Sequence, residues 1–320
     1  MRRRAALARE HACFVLTGKA STIQRQRRVL KDCGVPGARI LAKTYWAAGK
    51  TGGGIEGCRA GAPTILVFPE ATMTLLRMLW LALMLVGAMP AAMAGATGGK
   101  PVRVAVYRGP AACDACSAAA RRAIEEAGAR YQVDYVGPGE RIDISEASLA
   151  RYDLYVQPGG GQDIPAAFHS LGNARVDAVR RFVARGGRYL GLCMGAYLAD
   201  AGGFGLVGQE LDSEVGRPGF PVKTIDDAVV AVRWAGHADR VFYQDGPYLR
   251  AESGEAGFRA IAAYENGDLA AARYAFEDGI VVLSGPHPEA EPSWFEAAGI
   301  PLEQMPRQDL FKDLLEQLAL

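Results

Sequence analysis

The sequence predicts an α/β fold, a mostly parallel sheet with helices on both faces and a β-rich C-terminal extension. Three observations predict it. Apolar, strand-like runs alternate with helix-forming stretches between residues 102 and 204, the order that sets parallel strands side by side under helices. Beyond Phe204 strand-like runs follow one another without long helices, and the junctions Asn266-Gly267 and Asp278-Gly279 carry turn signals. The composition, 50% hydrophobic and 22% charged over 320 residues, is that of a globular chain with one large or two ordinary domains.

Each element has its own local cause. VRVAVY (102–107) is a strand, and CSAAARRAIEEAGA (116–129) is a helix of good formers closed by glycine. YQVDYV (131–136) and DLYVQP (153–158) are the next strands, the second running into Gly159-Gly160-Gly161. NARVDAVRRFVARGG (173–187) sets Val176, Val179, Phe182 and Val183 at helical spacing, with Asn173 as cap and glycines at its end. RYLGL (188–192) is the fourth strand, and a helix is expected after Cys193. AVVAVRW (228–234), RVFYQD (240–245), RAIAAYE (259–265), LAAARYAFE (269–277) and GIVVLSG (279–285) form the extension. PRQDLFKDLLEQLAL (306–320) is an amphipathic helix with Leu310, Leu314, Leu315 and Leu318 on the face that docks.

Charge is unevenly spread. Residues 1–72 hold 13 Lys/Arg against 4 Asp/Glu, whereas residues 95–320 hold 22 against 31. An acidic body argues against a nucleic-acid partner. Between these parts, Arg77 precedes an uncharged apolar run from Met78 to Met89, followed by Ala92-Met93-Ala94. That is the pattern of a secretory signal peptide over 73–94, cleaved near Ala94, and the run is too short to span a bilayer as a helix. The expectation is an exported protein, periplasmic or secreted, that meets a membrane only through its export signal. Residues 1–72 then read as a basic leader, disordered or not translated, and 100–320 as the folded domain. An ordered basic N-terminal domain and a short membrane anchor are the alternatives.

Beyond the leader three cysteines remain, Cys113, Cys116 and Cys193. An odd number in an exported chain suggests one pair and one free thiol. Cys113-x-x-Cys116 after a strand fits a disulfide, and also a thiol–disulfide redox motif. Cys193 stands in Gly191-Leu-Cys-Met-Gly195 at a strand end. Two readings are open there. A cysteine is a common core residue; a residue on a tight strand-to-helix turn is instead exposed above the sheet, with a helix N-terminus favouring thiolate. His287-Pro288-Glu289 follows the strand 279–285 and would bring a base and an orienting carboxylate to the same sheet edge. The backbone N–H groups of Gly159, Gly160 and Gly161, with that of Met194, are candidate oxyanion donors, against a plain flexible turn.

In this order the three pieces resemble the class I glutamine amidotransferase-like superfamily, and more narrowly the biotin-protein ligase N-terminal-like domain. The stretches that carry the resemblance are VYRGPAACDACS, YVQPGGGQD, GGRYLGLCMGAYLA, YQDGPYL and LSGPHPEA, within residues 102–297. The resemblance implies a Rossmann-like, flavodoxin-like sheet with Cys193 as nucleophile, His287 as base and Glu289 as orienting acid. The loop Tyr243, Gln244, Asp245, Gly246 and Tyr248 reads either as the wall of a ligand pocket or as a turn with ordinary exposed tyrosines; the resemblance favours the pocket, with Tyr243 and Asp245 as substrate-binding residues, and Arg108 and Asp114 are further candidates to face it. The elbow departs from the glutamine-using pattern, because Gly195 leads into Ala196-Tyr197 rather than G-x-Q. No Gly-Arg-Gly-Arg motif is present, so biotinylation is not expected.

The function expected is a cysteine-dependent amidase or acyl hydrolase acting on a small amide or peptide-like substrate, without cofactor or metal. His169 and His237 have no partners at metal-ligand spacing. The alternatives are a non-catalytic ligand- or partner-binding member of the same fold, and a thiol–disulfide protein.

Overall fold

The computed structural model describes residues 100–251 and 257–320, and two short strands, β1 (Phe14–Gly18) and β2 (Ile40–Thr44), which pair in parallel. The segment 73–94 expected to be a signal peptide and the rest of residues 1–72 lie outside the described residues. The fold that carries the site is built from residues 100–320.

Its first part alternates as the sequence pattern requires: β3 (Val102–Tyr107), α1 (Asp114–Glu126), β4 (Tyr131–Val136), α2 (Glu146–Leu149), β5 (Leu154–Gln157), α3 (Ile164–Leu171), α4 (Asn173–Ala184), β6 (Arg188–Leu192) and α5 (Met194–Leu198). The second part is strand-rich: β7 (Asp212–Ser213), β8 (Ala228–Trp234), β9 (His237–Tyr243), β10 (Pro247–Tyr248), β11 (Arg259–Tyr264), β12 (Leu269–Phe276) and β13 (Gly279–Ser284). Helices α6 (Pro292–Ala297) and α7 (Leu310–Gln317) close the chain.

Nine strands form one sheet in the order β4-β3-β5-β6-β13-β12-β11-β8-β9. The first five are parallel, and β13 through β9 continue as antiparallel neighbours. The extension is therefore not a second layer. It prolongs the same sheet, and its last strand in sequence, β13, docks in parallel beside β6. That crossover sets Ser284 opposite Leu192 and brings the chain just after each strand to one edge.

Both faces of the parallel part are covered, which is why its strands read as near-continuous apolar runs. Val104 and Val106 of β3 pack with Ala120 and Ile124 of α1 and with Leu310 and Leu314 of α7. Ala105 and Tyr107, pointing the other way, pack with Leu171, Val179 and Val183 of α3 and α4. Leu314 is fully buried. Leu314→Ala is expected to lower unfolding stability by about 2–5 kcal/mol, measured by chemical denaturation, because it leaves a cavity beneath the sheet.

Local boundaries differ from expectation where capping decided them. Helix α1 starts at Asp114 because the Cys113 sulfur accepts the Cys116 N–H at 2.9 Å. Asn173 is not the cap of α4 but its first residue; Gly172, at φ 72, stands before it and no side chain caps that end. Helix α3 was not expected, although Asp163 caps it and Pro165 occupies its first turn. Helix α2 was likewise missed; Ser145 and Ser148 form a reciprocal capping box there. Among the described residues no helix is long and apolar enough to cross a membrane.

Candidate active site

Three consecutive strands, β5, β6 and β13, deliver the site. The glycine loop 159–161 follows the first, Cys193 the second and His287 the third. Cys193 turns directly from strand into α5 with φ 49 and ψ −105, a left-handed conformation that a non-glycine residue adopts at a cost of roughly 1–3 kcal/mol. The turn is braced from both sides. The Cys193 N–H donates to the Ser284 carbonyl at 2.8 Å, tying it to the end of β13. The Tyr189 hydroxyl donates to the Gly195 carbonyl at 2.7 Å. Gly195 itself lies against the backbone of β5, and a Cβ there would overlap the Gln157 carbonyl oxygen. Gly195→Ala is therefore expected to destabilise the fold by at least about 2 kcal/mol in a denaturation experiment, since one rigid backbone must move off another.

His287 is buried, with its N–H donated to the Phe242 carbonyl at 2.8 Å and its ring packed edge-on to Phe242 and Trp294. Its Nδ1 lies 2.9 Å from Glu289 Oε1. Burial by itself pushes the imidazole toward its neutral form. The charges of Cys193 and Glu289 and hydrogen bonds with both side chains outweigh it and hold the pKa well above the ordinary histidine value. The ring thus bridges the thiol and the carboxylate. The Cys193 sulfur also reaches the Gln244 carbonyl at 3.4 Å.

The glycine loop packs against this pair. A Cβ on Gly159 would meet His287 Cε1 at 2.7 Å and the Cys116 sulfur at 3.5 Å, so only glycine admits the ring this close. Gly160 lies against the side chain of Met194. Met194 opens α5, and the N–H of a first helical residue has no intrahelical acceptor. Gly160, Gly161, Cys193, Met194, Tyr197 and Asp245 line a cavity of about 10 Å³, closed further by Gln162, Ile164 and Gln244. A far larger cavity, about 550 Å³, opens at the opposite edge, where β3 and β6 begin, and none of the expected site residues lines it.

Other expected residues fall elsewhere. Tyr243 is buried away from the cavity, its hydroxyl donated to the Gly246 carbonyl and its ring against Phe220 and Tyr264. Tyr248 stacks under the Arg217 guanidinium at 3.7 Å. Arg108 is committed to Glu140, at 2.6 Å, and to the Tyr135 ring, and it does not face the pocket; nor does Asp114, exposed at the start of α1. His169 Nδ1 lies 2.6 Å from the Pro165 carbonyl, and His237 is exposed at the start of β9. Among the described residues no cluster of His, Cys, Asp or Glu is arranged to hold a metal.

Cys113 and Cys116 form a disulfide, and the Cys113 N–H donates to the Gly159 carbonyl at 3.1 Å, so the bridge abuts the glycine loop. Cys193 is the free thiol among the described residues. Sequence reasoning missed Ser213 and Tyr197. Ser213 hydrogen-bonds Asp245 across 32 positions at 2.5 Å, and Tyr197 donates to the Asp245 carbonyl at 3.0 Å. The only local signal was Asp245-Gly246, a pair suited to the left-handed backbone Asp245 adopts at φ 49.

Residues 102–217 match the family model described as biotin-protein ligase, N terminal. The matched segment contains the disulfide, the glycine loop and the Cys193 elbow, while Asp245, His287 and Glu289 lie beyond it. Solved structures similar to the chain include a GMP synthase subunit protein from Thermoplasma acidophilum, 15% identical, with a TM-score of 0.44 over 69% of this chain and 96% of that one. Another is a glutamine amidotransferase, 18% identical, with a TM-score of 0.43 over 62% of this chain and all of the other. A comparison with curated proteins returns no match.

Proposed function

We propose that the protein is a cysteine-dependent amidase or acyl hydrolase acting on a small amide. The observation that carries this is the His287 ring, buried between Cys193 and Glu289 at the edge where Cys193 is held in a strained turn. Cys193 thiolate attacks the acyl carbon, and the carbonyl oxygen takes the negative charge against the N–H groups of Gly160 and Met194. The tetrahedral intermediate collapses as the C–N bond breaks, and His287 gives its proton to the leaving amine. The neutral imidazole then takes a proton from water, whose oxygen attacks the thioester and releases the acid and the thiol. Glu289 fixes the ring orientation by accepting from Nδ1. The test is limiting iodoacetamide on the native protein with Cys193 located by mass spectrometry. Labelling faster than a denatured control is expected, and labelling no faster sinks the proposal.

We further propose that the chain is exported under the signal segment 73–94. A disulfide in the body suits an oxidising compartment. Intact mass of the protein from its native host checks this, and a mass that retains residues 73–94 overturns it.

A second reading is a non-catalytic binding protein. It is favoured by the smallness of the cavity beside Cys193, about 10 Å³, which admits one water at most. Met194 is a flexible side chain of the cavity wall, packed on Gly160, and crystals soaked with a small amide should display its movement if the site is catalytic.

A further inference from the structure

Among the cavity-lining residues that the mechanism above does not use, Asp245 is the one with an ionisable carboxyl. Asp245 lines the cavity with Cys193, yet it is only 4% exposed. It is held in place at three points. Its carbonyl accepts from Tyr197 on α5, its carboxyl Oδ1 accepts from Ser213, and its neighbour Gln244 accepts from the Cys193 sulfur. The backbone adopts φ 49 to achieve this. Among the described residues a hydroxyl is the one side-chain partner the carboxyl has, and no Lys, Arg or His nitrogen lies within ion-pair distance of it. The neighbouring charge that acts on it is a second carboxylate, Asp212.

A buried carboxylate normally sits beside a cation, because desolvation without one is costly. Here the fold spends backbone strain to hold an uncompensated carboxyl on a residue that lines the nucleophile's cavity. We infer that Asp245 anchors a positively charged ammonium group of the substrate whose acyl carbon Cys193 attacks. The inference rests on the proposed catalytic role of Cys193 and narrows its substrate to small amides that carry a primary amine. Burial pushes the Asp245 carboxyl up to about 6, with the Ser213 hydrogen bond opposing. The group is therefore mostly ionised at neutral pH, as an ammonium partner requires.

Three methanethiosulfonates test this on the full chain with its disulfide intact. They carry 2-aminoethyl, methyl and 2-sulfonatoethyl groups, cationic, neutral and anionic respectively. Each transfers its alkylthio group to the Cys193 thiolate and releases methanesulfinate. Rates are followed by mass spectrometry and divided by the rate with a free small thiol. The aminoethyl reagent is expected to exceed the methyl one by about tenfold, the range of a hydrogen bond to a charged group, and the sulfonatoethyl reagent to be slowest. Asp245→Asn keeps the shape and the Ser213 contact and should bring the aminoethyl-to-methyl ratio to about one. A second measurement needs no variant: ethylammonium should slow aminoethyl labelling of the wild-type protein, and propanol should not. If Cys193 labels readily with no preference for the cation, or the preference survives Asp245→Asn, the ammonium site is wrong while the nucleophile stands. If no reagent labels Cys193, both fall together.

Discussion

Replacing His287 by Ala is expected to slow alkylation of native Cys193 by about 10²–10⁴, the usual weight of a positioned general base. Pseudo-first-order labelling rates measured by mass spectrometry read this directly, and an unchanged rate would remove His287 from the mechanism. The expectation follows from geometry: the ring is buried, bonded through Nδ1 to Glu289 and coupled to the Cys193 sulfur. Glu289→Gln should cost less, since it keeps a hydrogen-bonding oxygen near Nδ1 and loses only the charge. The protonation state adds a second readout. His287 has a folded pKa raised above its unfolded value, so the stability it contributes is fully present below the ordinary histidine pKa. That contribution is lost as pH rises through the folded value. The stability gap between wild type and His287→Gln should therefore narrow with rising pH above neutrality, as measured by denaturant titration.

Asp245→Asn is expected to stabilise the unliganded protein by up to about 3 kcal/mol at pH 8, and to make little difference at pH 4. Burial lifts the Asp245 carboxyl to about 6, so between its unfolded value and 6 the folded state binds more protons than the unfolded one. Stability falls as pH rises through that window, and the amide escapes the loss. Denaturant midpoints at the two pH values check this, and an equally large gain at pH 4 would contradict it. Glu214 is the informative comparison. Burial pushes its carboxyl up to about 7, and it is held by Asn266 and Arg217 away from the cavity. Glu214→Gln should show the same sign of pH dependence without altering the charge preference of Cys193 labelling. A residue that costs stability beside the nucleophile is the pattern of a site formed for a ligand.

Much of the site was legible because its parts are local. Gly191 and Gly195 flank the cysteine since helix α5 crosses the end of β5 with no room for a Cβ at Gly195. The parallel strands were legible because they are covered on both faces, which leaves them apolar throughout. Two helices escaped. Helix α3 announces itself only by Asp163 and Pro165, and α2 by two serines three apart, signals too short to carry a period. Tyr243 was misplaced for a different reason. Its neighbour in sequence, Asp245, does line the cavity, but the strand pleat and the tight turn at Gly246 send the tyrosine ring into the core.

Residues 188–195 by themselves dictated a strand, a sharp turn and a helix start, because the apolar run, the two glycines and the cysteine act within one turn of chain. The pairing of that cysteine with His287 was decided by the parallel docking of β13 beside β6, reached only after the chain has run through β12. The burial of Asp245 was decided likewise by Ser213 and Tyr197, brought to it from other parts of the chain. Backbone conformation is set by neighbours along the chain; which charge meets which, and how much water lies between them, is set by packing across it.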